Sequence, residues 1–187
     1  AVSIVTIETA AFANCSSLQT IKLPHSIRVL NGAFSGCMGL QEIEIPEGVS
    51  MLNNTFSSCS NLSKVILPST LTTIGDDVFR SCTNLASIDI PQSVTSIGST
   101  AFSSCTSMSE IALPHNLATI GNGAFQSCTS LRQITLPNKI TTIERFTFSY
   151  CTSLSSITLP PNLKTINEYA FQNCTSLRNI ELPKGVS

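Results

Sequence analysis

Tryptophan is absent from this 187-residue chain, tyrosine occurs twice, and charged residues make up only 11%. The formal net charge is −1, so the basic footprint of a nucleic-acid binder is missing. Uninterrupted apolar runs are only a few residues long, against the roughly 18 a spanning helix requires. No segment therefore inserts directly into a membrane as a helix. The eight cysteines are never closer than 22 residues, which excludes the close C-x₂₋₄-C pairs of a structural metal site. No glycine-rich phosphate loop opens a helix after a strand, so nucleotide binding has no support. No cofactor is expected.

Serine and threonine together number 49, which in a poorly apolar chain would suggest a disordered or mucin-like segment. The mean hydropathy of +0.25 excludes that reading. What remains is a polar, weakly charged surface around a large apolar interior.

The organisation of that interior is periodic. Cys15, Cys37, Cys59, Cys82, Cys105, Cys128, Cys151 and Cys174 are 22 or 23 residues apart, and each has a Phe three residues earlier. A Leu or Met follows each cysteine by three places, Ile or Val by six, Leu or Ile by eight and Pro by nine. Within one unit, Ile134, Thr135 and Leu136 alternate with period two, the signature of a strand with one buried face. Pro137 ends it, because proline has no N–H to give to a ladder. The spacing predicts one strand per repeat. A second segment, Leu117 to Ile120, precedes turn residues. Gly75, Gly98 and Gly121 share one place there, read as turn positions with positive φ, and Asn31, Asn53 and Asn167 take that place in other copies. Ala33, Ala101, Ala124 and Ala170 precede the Phe, consistent with a helical or 3₁₀ turn needing a small residue on its packed side.

A unit of this length cannot bury its own apolar set, but stacked units share one core. At about 4.8 Å per strand, eight coils span roughly 40 Å. The pattern from Leu85 to Cys105, Leu-x-x-Ile-x-Leu-Pro-x-x-Leu-x-x-Ile-Gly-x-x-Ala-Phe-x-x-Cys with Ile90 and Val94 as variants, resembles the BspA-like leucine-rich repeat family. The resemblance covers essentially the whole chain. It implies a right-handed leucine-rich-repeat superhelix of the kind found in surface proteins of host-associated bacteria and parasitic protists, where members act in adhesion and bind host matrix or partner proteins.

The residues themselves point to little chemistry. Stacked cysteines form a ladder at about 4.8 Å, whereas a disulfide needs Cβ atoms about 3.8 Å apart, so free buried thiols are expected. Their number then says nothing about the redox compartment. His25 and His115 lie four coils, or about 19 Å, apart, too far for a shared metal or proton relay, and read as surface turn residues. Asp76 and Asp77 read as a solvated turn. An enzyme is not expected. Sequons at Asn14, Asn53, Asn61 and Asn173 come close to the number that chance gives in so Ser/Thr-rich a chain.

The residues flanking the inward Ile point outward and stack in two columns. The first is Thr20, Glu42, Lys64, Ser87, Glu110, Gln133, Ser156, Asn179; the second is Lys22, Glu44, Ile66, Asp89, Ala112, Thr135, Thr158, Glu181. They vary while the inward positions hardly do, which is how solenoids build extended binding surfaces. Lys22, Glu42, Glu44, Lys64, Asp89, Glu110, Gln133 and Thr135 are the candidate binding residues. Glu42 with Lys64, and Lys22 with Glu44, should be neighbours, and the bland alternative is that such pairs merely hold register. A further column, Thr73, Ser96, Thr119, Thr142 and Thr165, on what reads as a second short strand, raises an ice-binding array as a rival, although Thr is also an ordinary strand surface residue.

The whole of 1–187 thus reads as a single array of about eight repeats, begun inside one repeat at Ala1 and cut within another after Pro183 and Val186, with end-to-end self-association expected of the open ends. The expected function is a non-enzymatic module whose concave sheet binds a protein, such as host matrix or a receptor, or a glycan, at the cell surface or as a secreted chain. The alternative is a cytoplasmic interaction scaffold with reduced cysteines.

Overall fold

A computed structural model describes residues 3–185; Ala1, Val2, Val186 and Ser187, which figured in the reading of the ends, lie outside the described residues. Ten short strands occur in order: β1 (Glu42–Glu44), β2 (Met51–Leu52), β3 (Lys64–Ile66), β4 (Thr73–Ile74), β5 (Ser96–Ile97), β6 (Thr119–Ile120), β7 (Gln133–Thr135), β8 (Thr142–Ile143), β9 (Ser156–Thr158) and β10 (Thr165–Ile166). All pairings are parallel and join the same place in successive coils. The chain is a leucine-rich-repeat solenoid.

Each coil offers two strand positions. The first carries β1, β3, β7 and β9, pairing β1 with β3 and β7 with β9. Residues 87–90 and 110–113 carry the same alternation but are not paired as strands, so the first ladder is split into two halves. The second position builds a four-stranded run, β2-β4-β5-β6, and the pair β8 with β10. Between the two positions, the carbonyls of Pro24, Pro46, Pro68, Pro91, Pro114, Pro137 and Pro160 accept the N–H three residues on, as from Leu71 to Pro68 and Leu117 to Pro114, at 3.1 and 3.0 Å. That turn carries the chain from one sheet to the other and explains the apolar residue three places after each proline.

The third side of the coil is a tight arc running up to the cysteine. No helical or 3₁₀ run is present among the described residues, which corrects the expectation of a helical turn. The arc contains isolated i to i−3 bonds, such as Cys105 N–H to the Phe102 carbonyl at 3.1 Å, and left-handed residues interrupt them before a helix can propagate. Every coil places two residues at positive φ, five and one before its cysteine; in the coil of Cys105 these are Thr100 (51°) and Ser104 (61°). This geometry turns alternate amides toward the next coil: Thr100 donates to Asn122 O, Phe102 to Ala124 O and Ser104 to Gln126 O, at 2.7 to 2.8 Å. Left-handed backbone costs a non-glycine residue about 1–2 kcal/mol, and the coil-to-coil bonds sustain it.

Gly75, Gly98 and Gly121, read above as positive-φ positions, are not among the left-handed residues. They are glycine because coils approach too closely for a side chain. A Cβ on Gly121 would lie 2.5 Å from Ser99 N and 2.6 Å from Gly98 C, both backbone atoms. The preceding alanines do answer a packing need: Ala33, Ala101 and Ala124 are fully buried.

The core is a set of ladders. Phe12, Phe34, Phe56, Phe79, Phe102, Phe125, Phe148 and Phe171 stack in one column, with successive centroids 5.2 to 5.8 Å apart and planes within 20°. Such pairs add about 0.5–1.5 kcal/mol each to the burial of the rings. Beside them run the thiols, all eight free. From Cys37 onward each Sγ–H donates to the carbonyl of the Phe one coil earlier, at 3.0 to 3.2 Å. Cysteine at this place is thus a small apolar group that also gives a second hydrogen bond to a buried carbonyl. Burial raises the thiols of Cys59 and Cys128 to about 12 and of Cys174 to about 11, and those of Cys82, Cys105 and Cys151 well above the ordinary value. Cys15 departs from the expectation of burial and is exposed, since no described coil covers its outer side.

Candidate binding face

The alternation in β1, β3, β7 and β9 sends one side chain of each three into the core and two outward. Both outward columns are exposed along their whole length, including Ser87, Asp89, Glu110 and Ala112 in the unpaired middle. Pairing puts Glu42 opposite Lys64 and Glu44 opposite Ile66, and farther on Gln133 opposite Ser156 and Thr135 opposite Thr158. Lys64 Nζ lies 3.7 Å from Glu42 Oε2, with both side chains mostly exposed, an ion pair of the kind worth at most about 1 kcal/mol. Lys22 lies in the coil before Glu44, in register with it through the bridge from Thr20 to Glu42, but closes no ion pair within 4 Å. Asp89 and Glu110 are in no ion pair, which gives the middle of the face an acidic character, and Glu44 in β1 is likewise in none.

Two hollows lie over this sheet, the first beside β1 and β3, the second reaching from the unpaired residues 110–113 onto β7 and β9. The first is lined by Lys22, Glu42, Glu44, Lys64, His25 and Ile66 among others. The second is lined by Glu110, Gln133, Thr135, Ser156, Thr158 and His115 among others. All the candidate binding residues except Asp89 line one or the other. The first half of the face therefore presents charges of both signs around the exposed Ile66, and the second presents hydroxyls and amides beside Glu110. The two histidines fall at equivalent edges of the hollows; the ring Nδ1 of His115 is 2.7 Å from Gln92 Oε1.

The remaining motifs do structural work. Asp76 and Asp77 are not a merely solvated turn, because Asp76 Oδ1 accepts the Ser99 N–H at 2.6 Å and Asp77 Oδ1 the Thr100 hydroxyl at 2.7 Å, each a tie to the next coil. Glu47 plays the same part after its proline: the Ser69 N–H and hydroxyl donate to it and hold its carboxyl below the usual range. The Thr column does lie on a second sheet, with Thr73 paired to Ser96 and Ser96 to Thr119. Apart from the exposed Thr119 it is only partly exposed, and Ser96 Oγ donates along it to Thr73 Oγ1 at 3.3 Å. Three aromatic residues, Phe146, Tyr150 and Tyr169, escape the repeat-based reading; their signal in the sequence is that they lie outside the Phe column.

Parallel short strands, a buried Phe and Cys interior and a variable outer strand face define a leucine-rich-repeat array, a class whose members serve as protein-interaction scaffolds. The family model of the BspA type leucine rich repeat region matches in six copies over residues 1–107 and 72–187, and the chain belongs to that family. A leucine-rich repeat protein from Bacteroides ovatus is 34% identical over 98% of this chain, with a TM-score of 0.80. The match takes up 42% of the B. ovatus chain, so this chain spans less than half its length. The T. pallidum leucine rich repeat protein is 27% identical over 94% of this chain and 72% of its own, with a TM-score of 0.70. A leucine rich cell surface protein from Faecalibacterium prausnitzii is 26% identical over 95% of this chain and 69% of its own, with a TM-score of 0.52. No curated protein matches the chain.

Proposed function

We propose that this array binds a protein partner through the outward columns of its first sheet, as the adhesive part of a cell-surface or secreted protein. One observation carries the reading: the same coils that repeat Phe, Cys, Leu and Ile inward place Lys22, Glu42, Glu44, Lys64, Asp89, Glu110, Gln133 and Thr135 outward without that constancy, all but Asp89 lining two hollows. A face kept only for solubility has no need of such variety beside so constant an interior. The similarity to a protein described as a leucine rich cell surface protein supports the location. An extracellular-matrix protein is the partner class that the family resemblance favours, and the uncompensated Glu44, Asp89 and Glu110 favour a basic contact surface on it.

The second reading, an intracellular interaction scaffold, draws on the eight free cysteines. Immobilised purified matrix proteins, titrated with the array and with a variant carrying Glu44→Ala, Asp89→Ala and Glu110→Ala, test the first reading. Saturable capture that the triple variant loses supports it; no capture, or equal capture by both, removes it.

A further inference from the structure

The chain has nine Phe, two Tyr and no Trp. Eight Phe form the buried column. The other three aromatics, Phe146, Tyr150 and Tyr169, all fall on the turn edge of two adjacent coils, away from both sheets. Phe146 and Tyr169 stack on each other outside the core, centroids 5.1 Å apart and planes at 8°. Tyr150 is four residues beyond Phe146, so within about 13 Å of it along the chain. Tyr150 and Tyr169 are 46% and 53% exposed.

All three occupy left-handed backbone, with φ of 58°, 60° and 60°. In the other coils the place of Phe146 and Tyr169 holds Gly, Ala, Asn, Asp or Thr, and that of Tyr150 holds Gly, Ser or Asn. Bulky aromatics are the least suited residues for this backbone. The stack of Phe146 on Tyr169 returns less than two left-handed aromatic backbones cost, and Tyr150 has no ring partner at all. Solenoid stability does not account for them. Strain held by a regular scaffold at exposed side chains is the pattern of a contact site.

We propose that Phe146, Tyr150 and Tyr169 form a second binding surface, separate from the strand face, for a neutral saccharide. Charge and size select the ligand class. Arg145, which lies 5.8 Å over the Phe146 ring, is already paired with Glu168 at 2.8 Å, so the patch presents no unmatched charge to an ionic ligand. Its rings expose roughly 250 Å² together, taking about 200 Å² for a whole aromatic side chain. A stable protein partner needs about 800 Å² on each side. One or two pyranose rings, with C–H faces against the tyrosines and hydroxyls toward the phenols, fit the smaller area.

The test uses the two tyrosines as reporters, because without tryptophan they supply the protein's near-ultraviolet emission. Cello-, chito-, xylo- and manno-hexaose are titrated against the intact chain, following tyrosine emission and binding heat. At least one series is expected to bind saturably. Tyr169→Gly and, separately, Tyr150→Ser, residues that other coils already use at these places, should weaken that binding by about tenfold or more, with thermal midpoints unchanged or raised. Binding by none of the four series, undiminished binding by both variants, or an emission change that tracks self-association in sedimentation would overturn the proposal.

Discussion

The thiol ladder makes this solenoid sensitive to alkali in a calculable way. Cys59, Cys82, Cys105, Cys128 and Cys151 are fully buried, each giving its Sγ–H to a Phe carbonyl; burial raises the thiols of Cys59 and Cys128 to about 12 and those of Cys82, Cys105 and Cys151 well above the ordinary value of 9.0. An acid whose folded pKa is raised stays protonated in the fold while the unfolded chain loses its proton, so stability is intact below pH 9 and falls between pH 9 and the folded value. The loss per thiol is about 1 kcal/mol at pH 10, so several kcal/mol for five, against a small fraction of that at pH 8. A domain of this size is stable by about 5–15 kcal/mol, so much of its stability should vanish over one to two pH units. Guanidinium unfolding followed by far-ultraviolet circular dichroism, under reductant and from pH 8 to 10.5, should show the midpoint dropping with a slope near five protons. Cys105→Ala should reduce that slope by about one proton. A midpoint that is flat across this range, or thiolate absorbance at pH 9.5 in the folded protein that Cys105→Ala reduces, would refute the reasoning.

Three further outcomes follow from the coil geometry. Phe102→Ala opens the middle of the ring column and should cost about 3–5 kcal/mol in a chemical denaturation curve. Gly121→Ala drives a Cβ into the backbone of residues 98 and 99, so a loss of about 1–3 kcal/mol is expected, measured as a lowered thermal midpoint. Ser104→Gly, at φ 61°, relieves left-handed strain of about 1–2 kcal/mol while giving back about 0.5–1 kcal/mol of unfolded-chain entropy, so its midpoint should stay level or rise by a few degrees.

The interior was legible in the sequence because the buried residues recur. Phe, Cys, Leu and Ile at fixed spacing admit one stacking, and the strand ends follow from proline. Period two alone fixed which residues of β7 face outward. The turn edge was not legible, because its left-handed positions hold Ser, Gly, Ala, Asn, Asp, Thr, Phe and Tyr with no common signature; only the hydrogen bonds to the next coil reveal why they share a conformation. The Gly75, Gly98, Gly121 column was misread for a related reason. Glycine serves either positive φ or close approach, and distinguishing them needs the neighbouring coil. The split in the first ladder is equally hidden, since residues 87–90 carry the same alternation as those of β7. Of the candidate site, the columns were visible and the hollows over them were not.

The central claim, that a protein partner is contacted by the first sheet and not by the second, is tested most directly by comparing two triple variants on one immobilised matrix protein. Glu44→Ala with Asp89→Ala and Glu110→Ala should weaken binding at least about tenfold, while Thr73→Ala with Thr119→Ala and Thr142→Ala on the second sheet should leave the Kd unchanged. A loss confined to the second-sheet variant, or shared equally by both, would contradict the account.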